Sequence, residues 1–122
     1  MTTVMQPQNI ALPGRWNNPD FHLAAYQAGP TDAAQSVVFC HGFPDLALGW
    51  QHQLKAAGAA GYRAIAPDMR GYGGSSCPHE VEAYTIAELC GDLVALLDAL
   101  DIEQAVFVGH DWGGFVSWAM PV

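Results

Sequence analysis

The residues in this sequence with the most evident chemistry are Val106-Phe107-Val108-Gly109-His110-Asp111-Trp112-Gly113-Gly114, where an apolar run meets a Gly-x-Asp-x-Gly turn. A turn of this kind, a nucleophile elbow, holds its tip residue in a strained conformation between a strand and a helix, so that one side chain projects alone. Gly109 and Gly113 leave room for the bend, because side chains there would collide with the neighbouring strand and helix. The tip residue is Asp111, ionised at neutral pH and able to attack without a general base. A serine attacking a saturated carbon would form an ether that water does not readily cleave, whereas a carboxylate forms an ester that water does cleave. The residue types therefore point to substitution at a saturated carbon, as in opening an epoxide or displacing a halide. The plainer reading makes Asp111 a helix N-cap. The strand before it and a second motif upstream favour the chemical reading.

That second motif is His41-Gly42-Phe43-Pro44. At the carboxyl end of a parallel strand, its free Phe43 N–H would face the N–H of Trp112, the residue after the nucleophile. Together they would form a two-donor oxyanion hole. His41, Gly42 and Pro44 would support that loop, with His41 bracing it. Alone, the motif reads as an ordinary turn. His110 should point away from the attack trajectory, since successive side chains near a strand end face opposite sides. His22, His52 and His79 fall in expected surface or edge segments.

The elements that must position these groups follow from hydrophobic periodicity. Asn9 to Leu12 and Phe21 to Gln27 suggest a hairpin. Ser36 to His41, Tyr62 to Ala66 and Gln104 to Gly109 read as strands buried on both faces. Between them, Trp50 to Ala60 reads as a helix ended by Gly61. A second helix opens with Thr85 and Glu88 at capping-box spacing and carries an apolar stripe of Ile86, Leu89, Cys90, Leu93, Val94, Leu97 and Leu100. A third begins after Asp111, and Gly71 to Ala83 is the long loop. Alternating strands and helices imply an α/β fold with a mostly parallel sheet, flanking helices and right-handed crossovers.

At 122 residues and 51% hydrophobic, the chain has enough apolar side chain for the core of one domain. Its net charge of −8, with only Arg15, Lys55, Arg63 and Arg70 as basic residues, argues against nucleic-acid or anionic-membrane partners. Met1 to Ile10 resembles no signal sequence, and no apolar run is long enough to span a membrane, so a cytoplasmic location is expected. Cys40, Cys77 and Cys90 lack metal-like spacing and read as free thiols in a reducing compartment, with Cys40 and Cys90 in the core. No cofactor or metal is implied.

Joined by Ala66-Pro67-Asp68-Met69-Arg70-Gly71-Tyr72-Gly73-Gly74-Ser75 between them, the two motifs resemble the α/β-hydrolase superfamily, and within it the epoxide hydrolases. Those enzymes carry a His-Gly-x-Pro loop, an Arg-Gly-Tyr-Gly-x-Ser turn and a Gly-x-Asp-x-Gly elbow. All three stand here in order, between about Val37 and Ala119. The resemblance implies attack by Asp111 on a small apolar epoxide, then hydrolysis of the alkyl ester by a water that a histidine activates. It also implies that this histidine, its acidic partner and two lid tyrosines come later in the family, beyond Val122. Residues 1–122 would then form the amino-terminal part of one core domain, without its lid and carboxy-terminal strands. Tyr62, Tyr72 and Tyr84 precede the elbow and read as packing or surface residues.

Two alternatives remain open at this point. A haloalkane or haloacid dehalogenase would use the same aspartate chemistry, but haloalkane enzymes usually place Asn at position 43 and haloacid enzymes tend to place Arg after the nucleophile. Here Phe43 and Trp112 hold those positions, although the Trp112 indole could serve a halide. From another class, the chain could be a non-catalytic fragment that acts only by association through an apolar strand edge. Substrate identity and oligomeric state are not legible in these residues.

Overall fold

The computed structural model describes residues 5–120; residues 1–4 and 121–122, including part of the expected signal-free amino terminus, lie outside them. Five strands form one sheet in the order β1-β2-β4-β3-β5. They are β1 (Gln8–Ala11), β2 (His22–Ala28), β3 (Ser36–Cys40), β4 (Arg63–Pro67) and β5 (Val106–Gly109). The β1–β2 hairpin is antiparallel, with Asn9 opposite Ala24, and β2 also runs antiparallel to β4. β3 pairs in parallel with β4 on one side and β5 on the other. The sheet is thus mixed, its parallel part confined to three strands. The carboxyl ends of those three strands lie side by side, the place where open α/β sheets present reactive groups.

The helices are α1 (Gln51–Ala59), α2 (Ile86–Ala99) and α3 (Trp112–Ala119). A short 3₁₀ turn, Ala47–Trp50, leads into α1. Gly61, at φ 96°, lets α1 end in paired bonds from the Gly61 N–H to the Gly58 carbonyl and from the Tyr62 N–H to the Ala57 carbonyl. One cluster, including Leu23, Val38, Ile65, Leu93, Leu96 and Val116, fills the side of the sheet covered by α2 and α3. A second, with Phe39, Leu54, Ala64 and Ala66, lies under α1. Burial of these side chains supplies the main drive to fold, on the order of 2 kcal/mol for each large one.

Three expectations need correction. β5 is not buried on both faces: Val106 is 59% exposed, and among the described residues only β3 pairs with the strand, which leaves the exposed apolar edge expected from the sequence. The apolar face of α2 centres on Leu93 and Leu96, both fully buried, while Val94 is 42% exposed and Cys90 only partly buried. Ile86, Leu89, Cys90, Leu97 and Leu100 of the expected stripe pack against the core as partly buried residues, and Asp92 is buried beside them. The capping box is half formed. Thr85 Oγ1 accepts the Glu88 N–H at 3.2 Å, but the Glu88 carboxylate turns to Arg15 and Arg70 instead of the Thr85 backbone.

Candidate active site

β5 delivers Asp111 to the start of α3 with φ 59° and ψ −122°, a conformation that L-residues rarely adopt and that costs about 1–3 kcal/mol. The surroundings enforce it. A Cβ on Gly109 would strike the Gly113 carbonyl, and one on Gly113 would strike the Cys40 carbonyl, so α3 approaches the strands only because both side chains are missing. Asp111 occupies the N-cap position, yet its side chain accepts no N–H from the first turn of its own helix. Its backbone carbonyl accepts the Gly114 N–H at 2.9 Å.

The Asp111 carboxylate instead turns toward the loop after β3. Oδ2 accepts the Phe43 N–H at 3.1 Å. The Phe43 N–H first, and the Trp112 N–H after it, hold the carboxyl below its ordinary range, with a smaller effect from His110. Of the two backbone donors named from the sequence, the Phe43 N–H is hydrogen-bonded to this carboxylate, and the Trp112 N–H lies near enough to help lower its pKa. Gly42 makes the meeting possible: a Cβ there would lie 2.5 Å from the Asp111 Cβ and 2.7 Å from the His110 carbonyl oxygen. The Phe43–Pro44 peptide is cis.

His41 is buried beneath this loop, and both ring nitrogens are engaged. Nε2 accepts the Met69 N–H at 2.9 Å, which leaves Nδ1 as the protonated nitrogen, donating to the Gly42 carbonyl at 2.9 Å. Its ring also meets Tyr72 edge-on, with centroids 4.8 Å apart. The ring thus ties the Phe43 loop to the segment that follows β4. His110 is exposed, and its backbone N–H donates to the Cys40 carbonyl at 3.3 Å.

The Asp68–Ser75 segment contributes structure that sequence reading quoted but did not explain. Asp68 Oδ1 accepts the Ala47 N–H at 2.9 Å, and the Ser75 hydroxyl donates to the Asp68 carbonyl. Arg70 is fully buried. It makes a two-pronged pair with Asp92, at 2.8 and 2.7 Å, and donates to the Ala83 carbonyl at 2.7 Å. Its guanidinium also lies 4.7 Å from the centroid of the Phe21 ring. Arg15 reaches the same Asp92 oxygen at 3.0 Å from the other side. The available signal was Asp92 itself, a charged residue inside an apolar helix stripe.

Apolar side chains surround the exposed carboxylate: Phe43 is 64% exposed, Trp112 54% and Phe115 66%. Trp112 and Phe115 pack with ring centroids 5.5 Å apart. No helix among the described residues is long and apolar enough to cross a membrane. The described residues contain no cluster of three or more potential metal ligands.

The sequence profile described as "alpha/beta hydrolase fold" matches residues 35–121. An epoxide hydrolase of Caballeronia sordidicola is 52% identical over 102 residues, 84% of this chain and 30% of that protein. Epoxide hydrolase A of Mycobacterium tuberculosis is 55% identical over 100 residues, 82% of this chain and 31% of that protein. A solved epoxide hydrolase from metagenomes of hot environments superposes with a TM-score of 0.85 at 43% identity, covering 95% of this chain and 37% of its own. The chain spans about a third of the length of such relatives. With its strained strand-to-helix turn, the Phe43 loop and the parallel strand ends in the arrangement described, the chain belongs to the α/β-hydrolase fold family.

Proposed function

We propose that this chain carries the nucleophile and oxyanion hole of an enzyme that opens epoxides to vicinal diols. The observation that carries the reading is the Asp111 carboxylate held at a strained strand-to-helix tip with Oδ2 on the Phe43 N–H. With Oδ2 so bound, Oδ1 is left to attack. A lone pair on Oδ1 forms a C–O bond to an epoxide carbon while the ring C–O bond breaks. Its electrons stay on the epoxide oxygen, which takes a proton from water and becomes the hydroxyl of a β-hydroxy ester. Oδ2 is then the ester carbonyl oxygen. When water adds to Cγ, the developing negative charge falls on that oxygen, to which the Phe43 N–H already donates and which the Trp112 N–H would help to hold. The binding of Oδ2 thus serves both steps without rearrangement.

The similarity to proteins named epoxide hydrolases supports this choice over halide displacement, as does a backbone donor, rather than a side-chain donor, at position 43. The test incubates the purified chain with styrene oxide, and separately with a primary haloalkane, followed by peptide mass spectrometry. We expect one epoxide-derived adduct, located on Asp111 and absent from Asp111→Asn. Adduct on other carboxylates only would defeat the proposal, and adduct from the haloalkane alone would favour the dehalogenase reading.

A further inference from the structure

The loop that carries the Phe43 N–H has little packing of its own. Phe43, Pro44, Asp45 and Leu46 are all exposed, and buried residues flank them, His41 and Gly42 before and Ala47 after. The loop is therefore fixed by what holds its two ends. Both ends are held by consecutive residues just after β4. The Met69 N–H donates to His41 Nε2 at 2.9 Å, and Oδ1 of Asp68 accepts the Ala47 N–H at 2.9 Å. Asp68 is buried, and the chemistry proposed above leaves it unused. We infer that Asp68 is a positioning residue: through Ala47 it sets where the Phe43 N–H points and holds that donor on Oδ2 of Asp111. The inference rests on the nucleophile reading for its chemical consequence, but not for its geometry.

Asp68 is itself placed from several directions. Its backbone N–H donates to the Ala24 carbonyl at 2.8 Å, and its carbonyl accepts the Ser75 hydroxyl, which in turn accepts the Ala24 N–H at 2.9 Å. Its second carboxylate oxygen accepts the Gly74 N–H at 3.3 Å. Gly73, at φ 52°, leaves room for this carboxylate, which a Cβ there would strike. On the other side, the four exposed loop residues form a closed turn. The Asp45 N–H donates to the Gly42 carbonyl at 3.0 Å, and the Leu46 N–H to Oδ1 of Asp45 at 2.7 Å. A shift at Ala47 is thus passed back to Phe43 instead of being absorbed between them.

Two measurements on the whole chain test the inference. In the first, the Asp111 carboxyl carbon and the Phe43 amide are followed by NMR as pH is lowered. In wild type the two should titrate together, below the ordinary 3.8 of the carboxyl. Asp68→Ala should move the Asp111 midpoint up toward 3.8 and uncouple the Phe43 amide from it. His110 and Tyr72, the other titratable groups whose charge couples to Asp111, are retained in this variant. Ile102→Val, which trims the core beyond the end of α2, should keep both wild-type readings, because lost stability alone does not change the ionisation of a folded carboxyl. A wild-type midpoint in folded Asp68→Ala, or a Phe43 amide that still follows it, overturns the inference. So does an equal shift in Ile102→Val.

In the second, the styrene oxide adduct on Asp111 is treated with hydroxylamine. Its nitrogen adds to Cγ, the ester C–O bond breaks, and the diol leaves with a proton while a hydroxamate stays on Asp111. Negative charge develops on Oδ2 in this step, so folded Asp68→Ala should release diol about tenfold more slowly, part of the cost of losing one oxyanion donor. An unchanged rate overturns the inference. If wild type forms no adduct, the nucleophile reading fails and the NMR titration alone decides the role of Asp68. If Asp68→Ala does not fold, amide exchange in wild type decides. Phe43 should then exchange no faster than Ala47, and exchange more than about tenfold faster overturns the inference.

Discussion

The Phe43 N–H and the Asp111 carboxylate meet at 3.1 Å across 68 positions of sequence, and they do so only because Gly42 has no side chain between them. Donor and acceptor sit on loops that leave adjacent parallel strands, β3 and β5, in register with Cys40 opposite Gly109. Their spacing is therefore a property of the sheet, not of either loop. Gly42→Ala should force the two loops apart, slow adduct formation on Asp111 at least tenfold and destabilise the fold by about 1–3 kcal/mol. Urea denaturation read beside adduct kinetics checks both effects, and a variant with wild-type values for the two would contradict this account.

Asp111→Gly separates strain from chemistry. Glycine adopts φ 59° without penalty, so the variant should be more stable than wild type by up to about 1 kcal/mol while forming no adduct. Asp111→Ala, which removes the carboxylate and keeps the strain, should also be inert but should show no such gain. Equal stability of the glycine and alanine variants would mean the backbone there is relaxed.

The pH dependence follows from the direction in which Asp111 is shifted. The Phe43 and Trp112 N–H groups lower its pKa from the ordinary 3.8, so the charged form persists to lower pH in the folded chain than in the unfolded one. Adduct formation should decline with a midpoint below 3.8 as pH falls, after subtraction of the acid-catalysed background measured with Asp111→Asn. Any stability from these hydrogen bonds is present above the unfolded value and lost as pH falls through the folded one. A decline with its midpoint above 3.8 would contradict the assignment.

His41 should matter to positioning and not to water activation. Its two ring nitrogens hold the Gly42 carbonyl and the Met69 N–H; the Gly42 carbonyl keeps the Asp45 N–H, so His41→Ala leaves the Met69 N–H unpaired at a cost of about 1–3 kcal/mol. We expect the wild-type chain to take up one epoxide and release no diol, and His110→Ala to behave like wild type. Sustained diol formation over many turnovers would assign the base to a histidine of this chain, His41 or His110.

The buried pair between Arg70 and Asp92 gives the fifth expectation. Asp92→Ala would strand a buried guanidinium and should destabilise the chain by about 3–5 kcal/mol. An effect below about 1 kcal/mol in denaturant titration would mean that Glu88 or water replaces the lost partner.

How much of this was legible in the sequence depended on the range of the interaction. The elbow was legible because Gly109, Asp111 and Gly113 impose a local geometry, and the helix stop at Gly61 for the same reason. The hairpin and the parallel strands followed from short apolar runs, to within two residues at their ends. The exposed edge of β5 was anticipated from the resemblance, but the exposure of Val106 was not, because Val106, Phe107 and Val108 are apolar whatever lies beside them. The face of α2 was misjudged for a related reason. Periodicity ranks Val94 above Asp92, and only the approach of Arg70 and Arg15 reverses that order. Likewise, Asp68 and Ser75 look like ordinary turn residues until the backbone of β2 and the turn before α1 are placed against them.

The central place of β3 in the parallel part of the sheet also sets an order of events. The Phe43 loop leaves β3, the segment whose Met69 binds His41 leaves β4, and the Asp111 turn leaves β5, so the proposed site exists only after both parallel pairings have closed. Such long-range pairings form slowly, and β5, held on one side only, is the strand expected to join last. In a refolding time course sampled by short pulses of epoxide, adduct on Asp111 should lag behind the recovery of helical signal. Reactivity then serves as a clock for completion of the fold, appearing after the secondary structure and disappearing before it.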